Sequence, residues 1–215
     1  DYLRYYMVSF TGHTRDLDFS WDAFSDKVNT ELVGTLGNFI YRTLHFTKKN
    51  YGSIPKGTFD PKLKLEVENA ISTITEAVNE YELKKVTDEI LRIASVGNEY
   101  FQANQPWALV KEDRDKCGEV LYNAIALVKA LTVLIDPIMP NAAETILAQL
   151  GYNGPDVHTT FLKDALEPPE VGSAIAKPIP VISKIDQDLL ASLKETIDNR
   201  IKAAEAAQRG EPLVE

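Results

Sequence analysis

Asn38 and Arg42 stand four residues apart in the stretch LGNFIYRTLHF (36–46), among aromatics and just ahead of Lys48 and Lys49. A side-chain amide offers a donor pair and an acceptor, and a guanidinium offers a fork of donors. Residues four apart on a helix lie one above the other on one face. Together these two side chains can read the Watson–Crick edge of an unstacked base, provided the strand is single. The same spacing suits an Asn–Arg surface pair, or an arginine bonded to a neighbouring helix. Asn is a mediocre helix former, which points to a reason other than propensity for its place there. Trp107, directly after Pro106, is the second candidate. It reads either as a core aromatic where two helices part or as a flat platform on which a base stacks. Trp21 reads as a packing residue at a helix start.

Other chemistry finds little support. His13, His45 and His158 are far apart, and none pairs with a Cys or Glu at ligand spacing. There is no phosphate-cradling Gly loop and no nucleophile elbow. Acid pairs such as Glu66/Glu68 read as solvated helix faces. No catalytic residue, metal ligand or cofactor is therefore assigned to this segment.

These residues need helices to position them. Asp16, Asp18 and Ser20 form a capping cluster ahead of Trp21. Phe24, Val28, Leu32, Leu36 and Ile40 then recur every four residues, which predicts one helix from about Trp21 to Lys49. Gly34 and Gly37 interrupt it, as small residues do where another helix comes close. Asp60-Pro61 opens a second helix with Leu63, Leu65, Val67, Ile71, Ile74 and Val78 on its apolar face. A third runs from about Leu83 to Gln102, with Val86, Ile90, Ile93 and Tyr100 or Phe101 inward. "NQPW" ends it, because Pro106 cannot continue the hydrogen-bond ladder. A fourth begins near Asp113 and is apolar from Val120 to Ile135, and "NAAETILAQLG" is a short fifth with Gly151 as its cap. Residues 152 to 183 are Pro- and Gly-rich and read mostly as loop. A charged terminal helix, "DQDLLASLKETIDNRIKAAEAAQRG", follows, with an end that suggests a linker onward. Strands have almost no support. The predicted fold is an all-α helical bundle.

The 215 residues suit one large domain or a domain with an appendage. A single Cys117 excludes an internal disulfide and favours a reducing, cytoplasmic setting. No apolar run approaches the length of a membrane span, and the N-terminus lacks a signal-peptide pattern. "DYLRYYMVSF" starts as though in mid-helix, which reads as a piece of something longer. Net charge is −9, an argument against bulk phosphate binding. Its distribution is uneven: six basic residues face one acid between Arg42 and Lys64, whereas five face eleven between Leu65 and Asp115. One basic region on an acidic body points to a restricted anionic contact.

"DLDFSWDAFSDKVNTELVGTLGNFIYR", continued by "YFQANQPWALVKEDRDKCGEVLYNAIALVKALTVLIDPIMPNAAETILAQLG", resembles the anticodon-binding domain of the methionyl-tRNA synthetase family. The likeness spans roughly Asp1 to Gly151, with "KPIPVISKID" like the segment that follows, and "NYGSIPK" leans towards the archaeal or eukaryotic type. The family's L-G-N-x-x-x-R pattern falls on Leu36, Gly37, Asn38 and Arg42. By the resemblance, this Asn and Arg read the cytosine at the first anticodon position, and Trp107 stacks on an anticodon base. Lys48 and Lys49, a turn or two on, are placed to meet phosphate. The resemblance divides the chain into the end of a preceding connecting helix and linker (1–18), the anticodon-binding bundle (19–151) and a loop-rich segment with a C-terminal helix (152–215). The implied partners are the methionine tRNA with its CAU anticodon and the parent's own catalytic domain, with no membrane. The parent charges tRNA with methionine using ATP. Its ATP-binding "HIGH" and "KMSKS" signatures and zinc-binding insertion have no counterpart here, so the segment alone should be inactive. The corresponding domain of another class I synthetase is a rival reading, against which Asn38–Arg42 with Pro106-Trp107 favour methionine. A helical protein-interaction domain is another, and the acidic total charge suits it.

Overall fold

The computed structural model describes residues 1–10, 19–152 and 162–209. His13, Asp16, Asp18 and His158 lie outside the described residues. Nine α-helices are described: α1 Tyr2–Phe10, α2 Trp21–Lys27, α3 Asn38–Asn50, α4 Pro61–Asn79, α5 Leu83–Asn104, α6 Pro106–Glu112, α7 Arg114–Ile135, α8 Pro140–Gln149 and α9 Gln187–Gln208. A π-helical run, Val28–Gly37, joins α2 to α3, and a 3-10 turn covers Leu162–Leu166. Among the described residues the β pairing is one isolated antiparallel bridge, Ser53 to Ala174. The all-α expectation holds.

The bundle is built around α7. From Val120 to Ile135 every residue of this helix is buried, and it packs on α3, α4, α5, α6, α8 and the 3-10 turn. A helix covered on all sides has no use for a polar face, so this run is apolar all round except for Asn123, Lys129 and Thr132, each of which is hydrogen-bonded. This corrects the expectation that no segment approaches span length. By length and composition α7 is apolar enough to cross a membrane, yet 94% of its most apolar window is buried inside the protein. Its start is fixed by Asp113, whose carboxylate accepts from the Lys116 amide at 3.0 Å. Asp60 does the same for α4, accepting from the amides of Lys62 at 2.7 Å and Leu63 at 3.2 Å, with Pro61 in the first turn. Gly151, at φ +88°, takes the left-handed conformation that ends α8.

The predicted helix from Trp21 to Lys49 is a continuous helical run, but ten of its residues are π-helical. The every-fourth pattern explains why. At 3.6 residues per turn a step of four over-rotates by about 40°, so five steps from Phe24 to Leu44 would carry the stripe about 200° round an α-helix. A π turn, bonded i→i+5, holds more residues, and a step of four falls short of a full turn. Alternating the two keeps Phe24, Val28, Leu32, Leu36, Ile40 and Leu44 on one face, and all six are buried. Gly34 and Gly37 serve this wide turn rather than a helix crossing. A Cβ on Gly37 would lie 2.9 Å from the Leu32 carbonyl oxygen, and one on Gly34 3.3 Å from that of Asn29. The close helix–helix approach falls instead on Gly97 of α5, where a Cβ would overlap the Phe39 ring of α3.

The apolar face of α4 also departs from expectation. Leu65 and Val78 are 54% and 49% exposed. The buried stripe is Leu63, Val67, Ala70, Ile74 and Ala77, where two alanines let α4 lie close to α5. The segment after α8 returns to the bundle. Ile175, Ile182, Ile185 and Leu190 are buried, and the Ile54 amide donates to the Ser173 carbonyl at 2.9 Å. Lys129 of α7 donates to the Glu167 carbonyl at 3.1 Å. α9 meets α2 near its start, where Lys194 pairs with Asp22 at 2.9 Å.

Candidate functional site

Asn38 is the first residue of α3, set where the π run ends, and Arg42 lies one turn on. Both turn towards α5. They do not bond to each other. The Asn38 amide Nδ2 donates to Asn98 Oδ1 at 3.3 Å, and an Arg42 guanidinium nitrogen donates to Gln102 Oε1 at 3.4 Å. Both distances are at the long end for N–H···O bonds, and both bonds are exposed. Asn98 is held more firmly, its Nδ2 donating to the Thr35 carbonyl at 3.0 Å and the Ala94 carbonyl at 3.1 Å.

Arg42 has a second partner. Its guanidinium carbon sits 4.5 Å from the centroid of the Phe101 ring, a cation–π contact that holds the fork flat. Burial lowers the Arg42 pKa from its ordinary value, and a guanidinium starts so high that it stays charged. Phe101 also neighbours Trp107, whose ring centroid is 6.3 Å away at 37°. Trp107 is 39% exposed, too open for a core aromatic. The corner before it explains its position. Gln105 adopts φ +44°, ψ +60° between α5 and α6, because the residue before a proline is disfavoured in the right-handed helical region. Pro106 then starts α6 and turns Trp107 beside the end of α5.

Asn38, Arg42 and Trp107 therefore share one neighbourhood, bridged by Phe101. Gly34, Thr35, Asn38, Arg42, Asn98 and Gln102 line an open groove of about 660 Å³, with Glu99 at its rim. Lys48 and Lys49 are exposed at the C-terminal end of α3, and neither makes an ion pair among the described residues. By helical phase Lys49 follows Asn38 and Arg42 on the same face, about 16 Å along the axis, while Lys48 is turned roughly a quarter-turn aside. Cations in a last turn also suit the helix dipole, whatever else they meet. His45 is exposed beside Tyr41, ring centroids 5.4 Å apart. Among the described residues no group of three or more His, Cys, Asp or Glu side chains is arranged to hold a metal ion.

Asn98 and Gln102 were not singled out from sequence. The signal was present: they repeat on α5 the four-residue polar spacing of Asn38 and Arg42.

A family model described as the anticodon binding domain of methionyl tRNA ligase matches residues 53–201. The chain belongs to this family. A second model, class I tRNA synthetases (M), matches residues 1–44, so the anticodon-binding domain is preceded here by a stretch of the other type that includes Asn38 and Arg42. The methionine–tRNA ligase of Methanosarcina acetivorans is 44% identical over 206 residues, which is 96% of this chain and 29% of that protein. That of Methanococcoides burtonii is 43% identical over 215 residues, 100% of this chain and 31% of that protein. The chain thus spans about three-tenths of the length of these relatives. Among solved structures, free Mycobacterium tuberculosis methionyl-tRNA synthetase superposes with a TM-score of 0.73 at 24% identity, covering 86% of this chain and 39% of that one. At that identity the likeness is one of fold.

Proposed function

We propose that this anticodon-binding domain recognises the CAU anticodon of the methionine tRNA, within a ligase that charges that tRNA with methionine using ATP in the cytoplasm. ATP and zinc belong, on this reading, to the catalytic part of the parent and not to the residues described above. The observation that carries the reading is Asn38 and Arg42 lining one open groove between α3 and α5, with Trp107 against the Phe101 ring that Arg42 stacks on. An amide and a guanidinium one turn apart form a reader of a base edge, and a half-open indole beside them forms a platform for a neighbouring base. The long, exposed bond to Gln102 leaves Arg42 able to change partner when a base arrives, while Asn38 can meet the base with its oxygen and keep its bond to Asn98. Asn38→Ala and Arg42→Ala should each weaken binding of a CAU anticodon stem-loop by about 1–3 kcal/mol. Each should also lower the preference over a stem-loop whose first anticodon base is uracil. Unchanged preference in both variants would assign the pair to structure and sink the proposal.

A further inference from the structure

Asn98 does more than accept a hydrogen bond. Its Nδ2 faces two backbone carbonyls, of Thr35 at 3.0 Å and Ala94 at 3.1 Å. Carbonyl oxygens only accept, so the NH2 end of this amide must point at them, and its Oδ1 must point the other way. What meets that Oδ1 is Asn38, at 3.3 Å. An amide oxygen also only accepts, so Asn38 must offer its Nδ2. With that end turned to α5, the oxygen of Asn38 is directed away from Asn98. Arg42, one turn on, has donors only. The pair therefore presents an acceptor followed by donors.

We infer that Asn98 is a positioning residue that sets the polarity of the Asn38 amide and so makes the reader select an amino-bearing base over a keto-bearing one. This rests on the proposal that Asn38 and Arg42 read the first anticodon base. The Watson–Crick edge of cytosine runs from an exocyclic amine to two acceptors, the complement of an Asn38 oxygen followed by an Arg42 fork. Uracil has the same size and shape but begins with a carbonyl and then an N–H. It sets oxygen against oxygen and N–H against guanidinium. A single mismatched contact of this kind is worth about 5- to 100-fold in affinity. Were Asn98 absent, the Asn38 amide could turn over and meet the uracil carbonyl as readily as the cytosine amine, leaving Arg42 alone to discriminate.

The test measures binding of two anticodon stem-loops, CAU and UAU, to the 215-residue chain and its variants. Asn98→Ala removes the device, and the preference for cytosine should collapse at least about tenfold, mainly because the uracil loop loses less than the cytosine loop. Asn98→Asp keeps an acceptor facing Asn38, so it should retain most of the preference even if both loops bind more weakly. Urea unfolding of the same variants checks that the ratio is read on folded protein. A cytosine preference that survives Asn98→Ala but is lost in Asn38→Ala overturns the polarity role and leaves the base-reading proposal standing. A preference that survives Asn38→Ala and Arg42→Ala as well overturns both.

Discussion

Gly97 is where α3 and α5 come closest, and enlarging it should move the reader as well as weaken the fold. A Cβ at this position would overlap the Phe39 ring at three of its atoms. Phe39 is fully buried, so its ring cannot swing into solvent, and relief must come from moving α3 away from α5. Overpacking of this kind costs about 1–3 kcal/mol, and an overlap with a fixed ring belongs at the upper end. Replacing a helical Gly by Ala returns about 1 kcal/mol of propensity. The net expectation for Gly97→Ala is a loss of about 2 kcal/mol, or a melting point about 4–8 °C lower for a protein of this size. Phe39 sits between Asn38 and Arg42 in α3, so the same displacement should lengthen the bonds to Asn98 and Gln102 and weaken stem-loop binding in the folded variant. Gly118→Ala in α7 is the control, since its Cβ would make only ordinary contacts, 3.4 Å to Pro55 and 3.6 Å to the Tyr51 ring, and it does not line the groove. Urea unfolding and stem-loop binding read both variants. A Gly97→Ala protein as stable as the unmodified one would show that this contact does not set the spacing of the two helices.

Three further outcomes are expected. Lys48→Ala and Lys49→Ala should weaken binding of all tRNAs alike, and removal of a phosphate partner should make the salt dependence shallower by about 0.7 in log–log slope; an unchanged slope would place that lysine in solvent. Lys49 should show the larger effect, because it shares the face of Asn38 and Arg42. Trp107→Ala should cost about 1–3 kcal/mol of anticodon binding, and Trp107→Phe less. Because Trp107 is more than a third exposed, its truncation should cost less folding stability than the about 3–5 kcal/mol of a buried Trp, and a larger destabilisation with intact binding would make it structural. Asp60→Ala removes the cap of α4 and should lower stability by about 1 kcal/mol, read by thermal melting, with no change in stem-loop affinity; an unshifted melting point would mean that Pro61 alone fixes the helix start.

The limits of α4, α7 and α8 were legible because Asp60, Asp113 and Gly151 act through their own backbone neighbours. The phase of α4 was less so. Leu65 and Val78 look like core residues by type, but how closely two helices approach decides which stripe is buried, and Ala70 and Ala77 won that contest. In the same way the spacing of four from Phe24 to Ile40 was plain, while the hydrogen-bond register that satisfies it depends on the surface it must face. Asn98 and Gln102 stayed hidden for a different reason. Their partners are 60 residues away in the chain, and local periodicity carries no information about which exposed amides will meet. Ile182 and Ile185 were missed because single apolar residues in a Pro-rich stretch have no period to betray burial. Asn38, Arg42 and Trp107 came from residue chemistry and from the family resemblance together, and their grouping around Phe101 became visible only in three dimensions.

The border between the two matched family models falls between residues 44 and 53, at the end of α3 and the turn after it. Physically nothing is divided there. Leu32, Leu36, Phe39, Ile40 and Leu44 on one side share a core with Ile90, Ile93, Leu121 and Ile125 on the other. A protein begun at residue 53 would bare the surfaces of α5 and α7 that α3 now covers. It would also keep Trp107 while losing Asn38 and Arg42, the other members of the cluster around Phe101. The border of the matched models therefore divides neither a core nor the candidate site. What ties the two stretches together reaches back to Tyr2, whose hydroxyl accepts from the Ser183 amide at 2.6 Å.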